Sequence, residues 1–273
     1  MESATLRRTP PLPTVIQVAL VALLVVIAGV SWALTDDRMV GMDMGPGTEL
    51  GGLGWFLVTW VTMNAAMMLP SLAPVAVGYA RIESSDGDGD HTSTIATTAL
   101  FVAGFLVSWA AAGLLGFMVV EGVRSLDIGF LRWDEAGPYV AGGVIVIAAL
   151  YELTSAKDTC LRHCRTPPAL REHWHRGPVG ALRMGIEHGG YCIGCCWALM
   201  AALFALGVMS IGWMAFVAAL IAIDKLLPSK TLATRGIAIL LVVLGLAVAF
   251  APEDVPGLTI PDSADSGGMM EMQ

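Results

Sequence analysis

The chain has 273 residues, 56% of them hydrophobic and only 14% charged, with 15 Lys and Arg against 23 Asp and Glu for a formal net charge of −8. A water-soluble domain carries about a quarter charged residues, so an ordinary soluble enzyme is excluded, and apolar runs of about 18 or more residues point to a multi-pass membrane protein. The acidic balance argues against nucleic acid as a partner. Backbone groups at bilayer depth must pair internally, so the expected fold is an all-α polytopic transmembrane bundle rather than a barrel.

Residues 1–13 read as a cytoplasmic arm, Pro-rich with Arg7 and Arg8. A single membrane domain follows over 14–251, with seven spans at roughly 14–34, 54–79, 94–120, 138–156, 190–208, 211–228 and 235–251, or six as the alternative. The first run lacks a small-residue cleavage site and reads as a span, not a signal peptide. With the N-terminus inside, twelve Lys and Arg fall in inner segments and three (Arg38, Arg124 and Arg132) in outer ones. That bias places the N-terminus inside and the C-terminus outside. Residues 157–188 form the sizeable inner loop, with one short helix before Pro167 and another over about 168–176. Residues 252–273 form an acidic, Met-containing outer tail.

The first outer segment, RMVGMDMGPG, holds Met39, Met42 and Met44; the tail ends GGMMEMQ, with Met269, Met270 and Met272. Water offers a thioether little, and such clusters suit Cu(I) through soft sulfur; the alternative, foremost for 269–272, is chance occurrence in a disordered tail. In the second span, WVTMNAAMMLPSLAP, the positions Trp60, Met63, Asn64, Met67 and Ser71 share one helical face. Asn64 is polar in hydrocarbon and should face the bundle interior. Met63 and Met67 read either as gap-filling packing or as soft ligands near mid-membrane. Glu152, at the end of span four, is deep enough to need an inner Lys or Arg. Lys157, Asp158, Asp224 and Lys225 read as membrane-edge charges that snorkel to the interface.

All five cysteines lie between residues 160 and 196, together with His163, His173, His175 and His188. Cys160 and Cys164 stand at i, i+4 and share a face. His188, Cys192, Cys196 and Met200 follow at the same interval, as one stripe if the fifth helix starts early enough; Gly189 and Gly190 could instead unwind its first turn. Thiolate, thioether and imidazole together suit Cu(I), with zinc the lesser alternative. Helix packing would also accept small apolar cysteines. Cys192 and Cys195 form a C-x-x-C that would suit thiol–disulfide exchange. No Ser-His-Asp spacing, phosphate-binding Gly loop or H-E-x-x-H supports a hydrolase or nucleotide-driven pump.

The segments MNAAMMLPSLAP, YELTSAKDTCLRHCRTP, HWHRGPVGALRMGIEHGGYCIGCCWALM and GVMSIGWMAFVAALIAIDKLLP resemble the predicted metal-binding integral membrane proteins of bacteria and archaea. That family includes a membrane copper-delivery protein serving a tyrosinase. The resemblance spans about residues 54–250, with the Cys-Cys-Trp motif its most specific part; Asp224 stands where the family usually carries Glu. It implies metal binding through the cysteine motif and residence in the cell membrane of a prokaryote.

The combined expectation is a Cu(I) carrier in the lipid bilayer that supplies a copper-enzyme recipient. Cys192, Cys195 and Cys196 would be the primary ligands, with Cys160, Cys164, His163 and His188 as entry or second ligands. Met63, Met67 and Met200 would form a mid-membrane relay. A membrane thiol–disulfide oxidoreductase using Cys192 and Cys195, or an accessory subunit of a membrane enzyme complex, are the alternatives.

Overall fold

The computed structural model describes residues 13–39, 52–86, 91–125, 137–165, 175, 177–206, 210–227 and 230–255. Among these it is all-helical: α1 (Thr14–Met39), α2 (Leu53–Asp86), α3 (His91–Ser125), α4 (Gly137–Glu152), α5 (Ser155–Arg165), α6 (Gly177–Leu206), α7 (Ile211–Leu226) and α8 (Lys230–Phe250), then a 3-10 turn at Pro252–Asp254. Helices α1, α2, α3, α6 and α8 are each long and apolar enough to cross a membrane. The α4–α5 pair, bent by 68°, makes a sixth if it counts as one span. Helix α7 has 16 residues, about 24 Å of helix, short of the ~30 Å hydrocarbon thickness. Five or six candidate spans thus stand where seven, or six, were expected.

The expected inner loop, 157–188, needs the larger correction. Helix α5 covers its beginning and α6 already starts at Gly177, which takes a positive φ of 80°. The stretch 177–188 is therefore helical and continuous with the fifth apolar run. Hydropathy misses it because Arg183 and Glu187 interrupt the apolar pattern, yet these two pair with each other at 2.9 Å one turn apart. The expected helix over 168–176 lies outside the described residues, apart from His175.

Helix α6 is the central element, packed against α3, α4 and α5. Its contact with α3 is built from small residues. A Cβ at Gly185 would lie 2.0 Å from the Phe101 carbonyl oxygen, and one at Gly104 would lie 2.2 Å from that of Leu182. The Ser108 hydroxyl donates across the crossing to the Ile186 carbonyl at 3.0 Å. In hydrocarbon, close backbone approach of this kind replaces the hydrophobic drive that packs soluble helices. The α4–α8 contact repeats the device: a Cβ at Gly142 would meet the Gly245 carbonyl oxygen at 2.4 Å.

Helix α1 is peripheral. It lies antiparallel along α2, held at one end by Arg81 donating to Gln17 and at the other by Arg38 5.2 Å over the Trp55 ring. Large apolar side chains such as Val15, Val179, Leu232 and Phe250 stand outward and exposed. That surface matches a lipid solvent and not water.

Replacing Gly185 with Leu forces backbone apart at the α3–α6 crossing and should cost about 1–3 kcal/mol or more. Gly190→Ala meets nothing within 4 Å and should leave stability unchanged or slightly improved. Thermal unfolding of both variants in detergent micelles checks the contrast.

Candidate metal centre

The stripe His188, Cys192, Cys196 and Met200 lies on an unbroken helix and is buried throughout. Gly189 and Gly190 do not unwind it. Gly189 instead lets Ser108 of α3 approach, since a Cβ there would sit 2.4 Å from the Ser108 Oγ. Cys195, one step round the helix, is buried as well, with its sulfur 3.3 Å from that of Cys196 and 3.2 Å from the Cys192 carbonyl oxygen.

The fourth thiol of this group arrives from α5. Chain direction changes at Leu153–Thr154, where Thr154 acts as the N-cap: its hydroxyl oxygen accepts from the Lys157 amide at 3.3 Å and its hydroxyl donates to the Tyr151 carbonyl at 2.7 Å. The 68° bend swings α5 onto α6. Cys164, three turns along, then points inward with its sulfur 3.6 Å from Cys195. The sulfurs of Cys164, Cys192 and Cys195 lie within 4.8 Å of one another, all three buried. This is a geometry in which one ion can draw on three thiolates from two helices, a set suited to soft metals. All five cysteines are free of disulfides.

Helix α7 closes the other side. Its N-terminus is capped by Ser210, which accepts from the Trp213 amide at 3.5 Å. At its far end the Lys225 ammonium lies 3.1 Å from the Cys192 sulfur and 3.4 Å from the Ser71 hydroxyl of α2. Neither Lys225 nor Ser71 stood out as a partner of the thiols in the sequence. A lysine inside an apolar segment was the available signal, because charges at such positions are seldom idle.

The lysine–thiol contact depends on a second charged group. Lys157 of α5 is 1% exposed, its ammonium bonded to the Glu152 carboxylate of α4 and 2.9 Å from the Asp224 carboxylate of α7. Glu152 finds the cationic partner its depth demanded. Lys157 and Asp224 do not snorkel: one buried ammonium between two carboxylates binds three helices in place. The Arg165 guanidinium adds a C-cap to α7 by donating to the carbonyls of Asp224 and Leu227, the latter at 2.7 Å.

The remaining sequence candidates fall around this core. Cys160 is half-buried, its sulfur against α6 where a Cβ at Gly194 would stand 2.7 Å away. The His163 ring stacks on Tyr191 at 4.4 Å, with Nδ1 2.9 Å from the Thr159 carbonyl oxygen. His188 is buried between Phe101 and Phe105, with ring centroids at 5.8 and 6.1 Å. The Tyr151 hydroxyl donates to the Gly194 carbonyl at 2.6 Å, pinning α4 to the cysteine motif.

Met63, Met67 and Met200 are buried in the same core. Trp60 meets Phe204 at 5.5 Å, while Ser71 reaches Lys225 and through it Cys192. Helices α2 and α6 are therefore antiparallel. At about 1.5 Å rise per residue, Met63 and Met67 stand level with Met200 and Cys196. Asn64 faces inward as its polarity requires, fully buried and donating to the Trp60 carbonyl at 2.8 Å. Met42, Met44, Met269, Met270 and Met272 lie outside the described residues, as does the side chain of Met39.

Comparison with protein families matches residues 57–248 to a model described as a copper chaperone, PpoB2. No curated protein and no solved structure matches the chain.

Lys157→Met leaves Glu152 and Asp224 facing each other in an apolar interior and should destabilise the fold by about 3–5 kcal/mol. Arg162→Ala removes exposed contacts within one helix, among them the pair with Asp158 at 3.4 Å and a hydrogen bond to the Thr159 hydroxyl at 3.4 Å, and should cost less than about 1 kcal/mol. Unfolding of the two variants in detergent, followed by loss of helical signal, checks the difference.

Proposed function

The chain belongs to the PpoB2 copper chaperone family, and on that premise we propose that it is a multi-pass membrane protein that binds Cu(I) as cargo and passes it to a copper enzyme. The observation that carries this reading is the meeting of Cys164 with Cys192 and Cys195, three buried thiols from two helices within 4.8 Å. Soft thiolate ligands favour Cu(I), and zinc is the lesser candidate. In this reading Cys164 joins the primary ligands that the 192–196 motif supplies, and Cys196, 3.3 Å from Cys195, offers a further sulfur.

Transfer needs ligands that exchange. Met63, Met67 and Met200 are buried in the same core, from the level of Cys196 to about one turn beyond it, and would offer successive thioethers to a departing ion. Cys160, His163 and His188 flank the cluster and would serve as entry or secondary ligands. The Lys and Arg bias along the chain argues for an inside N-terminus, and with an odd number of spans the methionine segments 38–47 and 269–272 would receive or release the ion on the outer face of a prokaryotic cell membrane. A thiol–disulfide exchange role fits the burial less well, because Cys192 and Cys195 are 0% and 1% exposed and a partner's disulfide would have to reach them.

Protein purified under reducing conditions and loaded with Cu(I) should hold about one copper per chain. The combined Cys192→Ser, Cys195→Ser and Cys196→Ser variant should fall to background, and Cys164→Ser alone should bind more weakly. Elemental analysis and competition with a Cu(I) chelator provide the readout. Equal copper in the wild type and the combined variant would refute the site.

A further inference from the structure

The Lys225 ammonium has no place in a simple soft-metal pocket. A cation 3.1 Å from the sulfur of Cys192 repels any metal ion that this sulfur helps to bind. Its position is nevertheless built with care. Ser71 of α2 takes the same ammonium at 3.4 Å. The preceding residue, Asp224, is tied to buried Lys157 at 2.9 Å, and the end of the helix is capped by Arg165. Contacts from α2, α5 and α6 thus converge on the last turn of α7 and keep its lysine against the thiols.

We propose that Lys225 is the specificity-determining residue of the metal centre, a fixed positive charge that makes the thiol cluster prefer monovalent over divalent ions. The inference rests on the metal-binding reading above and concerns which ion that site accepts.

The argument is one of charge. For any given set of thiolates, a complex with a divalent ion carries one more positive charge than a complex with a monovalent ion. A fixed ammonium at contact distance therefore penalises the divalent complex by one additional charge–charge repulsion. Whether the thiols begin protonated or ionised does not matter, since that starting state is common to both metals and cancels in the comparison. Ligand softness does not make this distinction alone, because thiolates also bind zinc tightly. Partial burial keeps water from screening the repulsion fully.

Competition titrations test the proposal on full-length protein in detergent under reducing conditions, with Cu(I) and Zn(II) each buffered by a chelator. Wild type, Lys225→Met and Lys225→Arg are compared. The ratio of Cu(I) to Zn(II) affinity should fall by about tenfold or more in Lys225→Met and should be retained in Lys225→Arg, which keeps the charge. A ratio unchanged in Lys225→Met overturns the proposal. So does a loss of both affinities by the same factor, which marks a purely structural role. If the wild type binds Zn(II) but no Cu(I), monovalent preference is refuted while the thiol site survives; if it binds neither, the metal-binding reading itself has failed.

Discussion

The buried ammonium of Lys157 is the interaction on which the site's geometry depends. It lies between the carboxylates of Glu152 and Asp224, and so joins α4, α5 and α7 at one point inside an apolar bundle. Charges in such surroundings are costly unless paired. The group therefore cannot slide or open without exposing an unpaired charge to the apolar interior. One consequence is that the sharp turn between α4 and α5 is locked, with Thr154 restarting the helix. A second is that α7 is docked with its last turn facing α6. Cys164 rides on the first of these elements and Lys225 on the second. Both arrive at the cysteines of α6 because Lys157 fixes the elements that carry them.

The rest of the bundle is held by a different physics. Lipid chains are as apolar as leucine, so helix association relies on contact and on polar pairing. The glycine crossings of α3 with α6 and of α4 with α8 bring backbones close enough to exclude a Cβ. Helix α6, clasped in this way by α3, presents its cysteine stripe from a rigid element, which favours precise ligand placement. By contrast α2 meets α6 mainly through long side chains: Trp60 against Phe204, and Ser71 through Lys225. Met63, Met67 and Met200 are buried in the shared core, where flexible thioethers adapt to irregular gaps. The molecule thus joins α3 to α6 by rigid backbone contacts and α2 to α6 by adaptable side chains.

This division suits a protein whose cargo must leave. A closed four-ligand site traps its ion, whereas three ligands leave a position open to an incoming group. The cluster offers three thiols in mutual reach and a fourth beside them, with a cation set against one sulfur. Copper held there would be gripped by soft ligands but would not sit in a sealed cage.

The helical class was legible because composition and apolar run length are direct records of the solvent a chain must satisfy. The crowding of five thiols into residues 160–196 was legible as well, and three of them, Cys164, Cys192 and Cys195, meet within 4.8 Å. The i, i+4 stripe from His188 to Met200 followed from helical period alone. Hydropathy could not show that the fifth helix begins at Gly177, because the Arg183–Glu187 pair hides a helix inside a polar-looking stretch. Nor could local spacing reveal which cysteine of the 160–164 pair turns inward. The bend at Thr154 decides that, and it puts Cys164 on Cys195 while Cys160 packs against Gly194. The partnership of Lys225 with Cys192 joins residues 33 apart in the chain and has no sequence signature beyond a lysine in an apolar run. The chain's own order of residues thus determined the helical class, the apolar runs and which sulfur atoms were on offer. Tertiary structure decided which of those atoms meet and what charge lies beside them, because contacts between separate helices depend on bends, close crossings and buried ion pairs that no local pattern encodes.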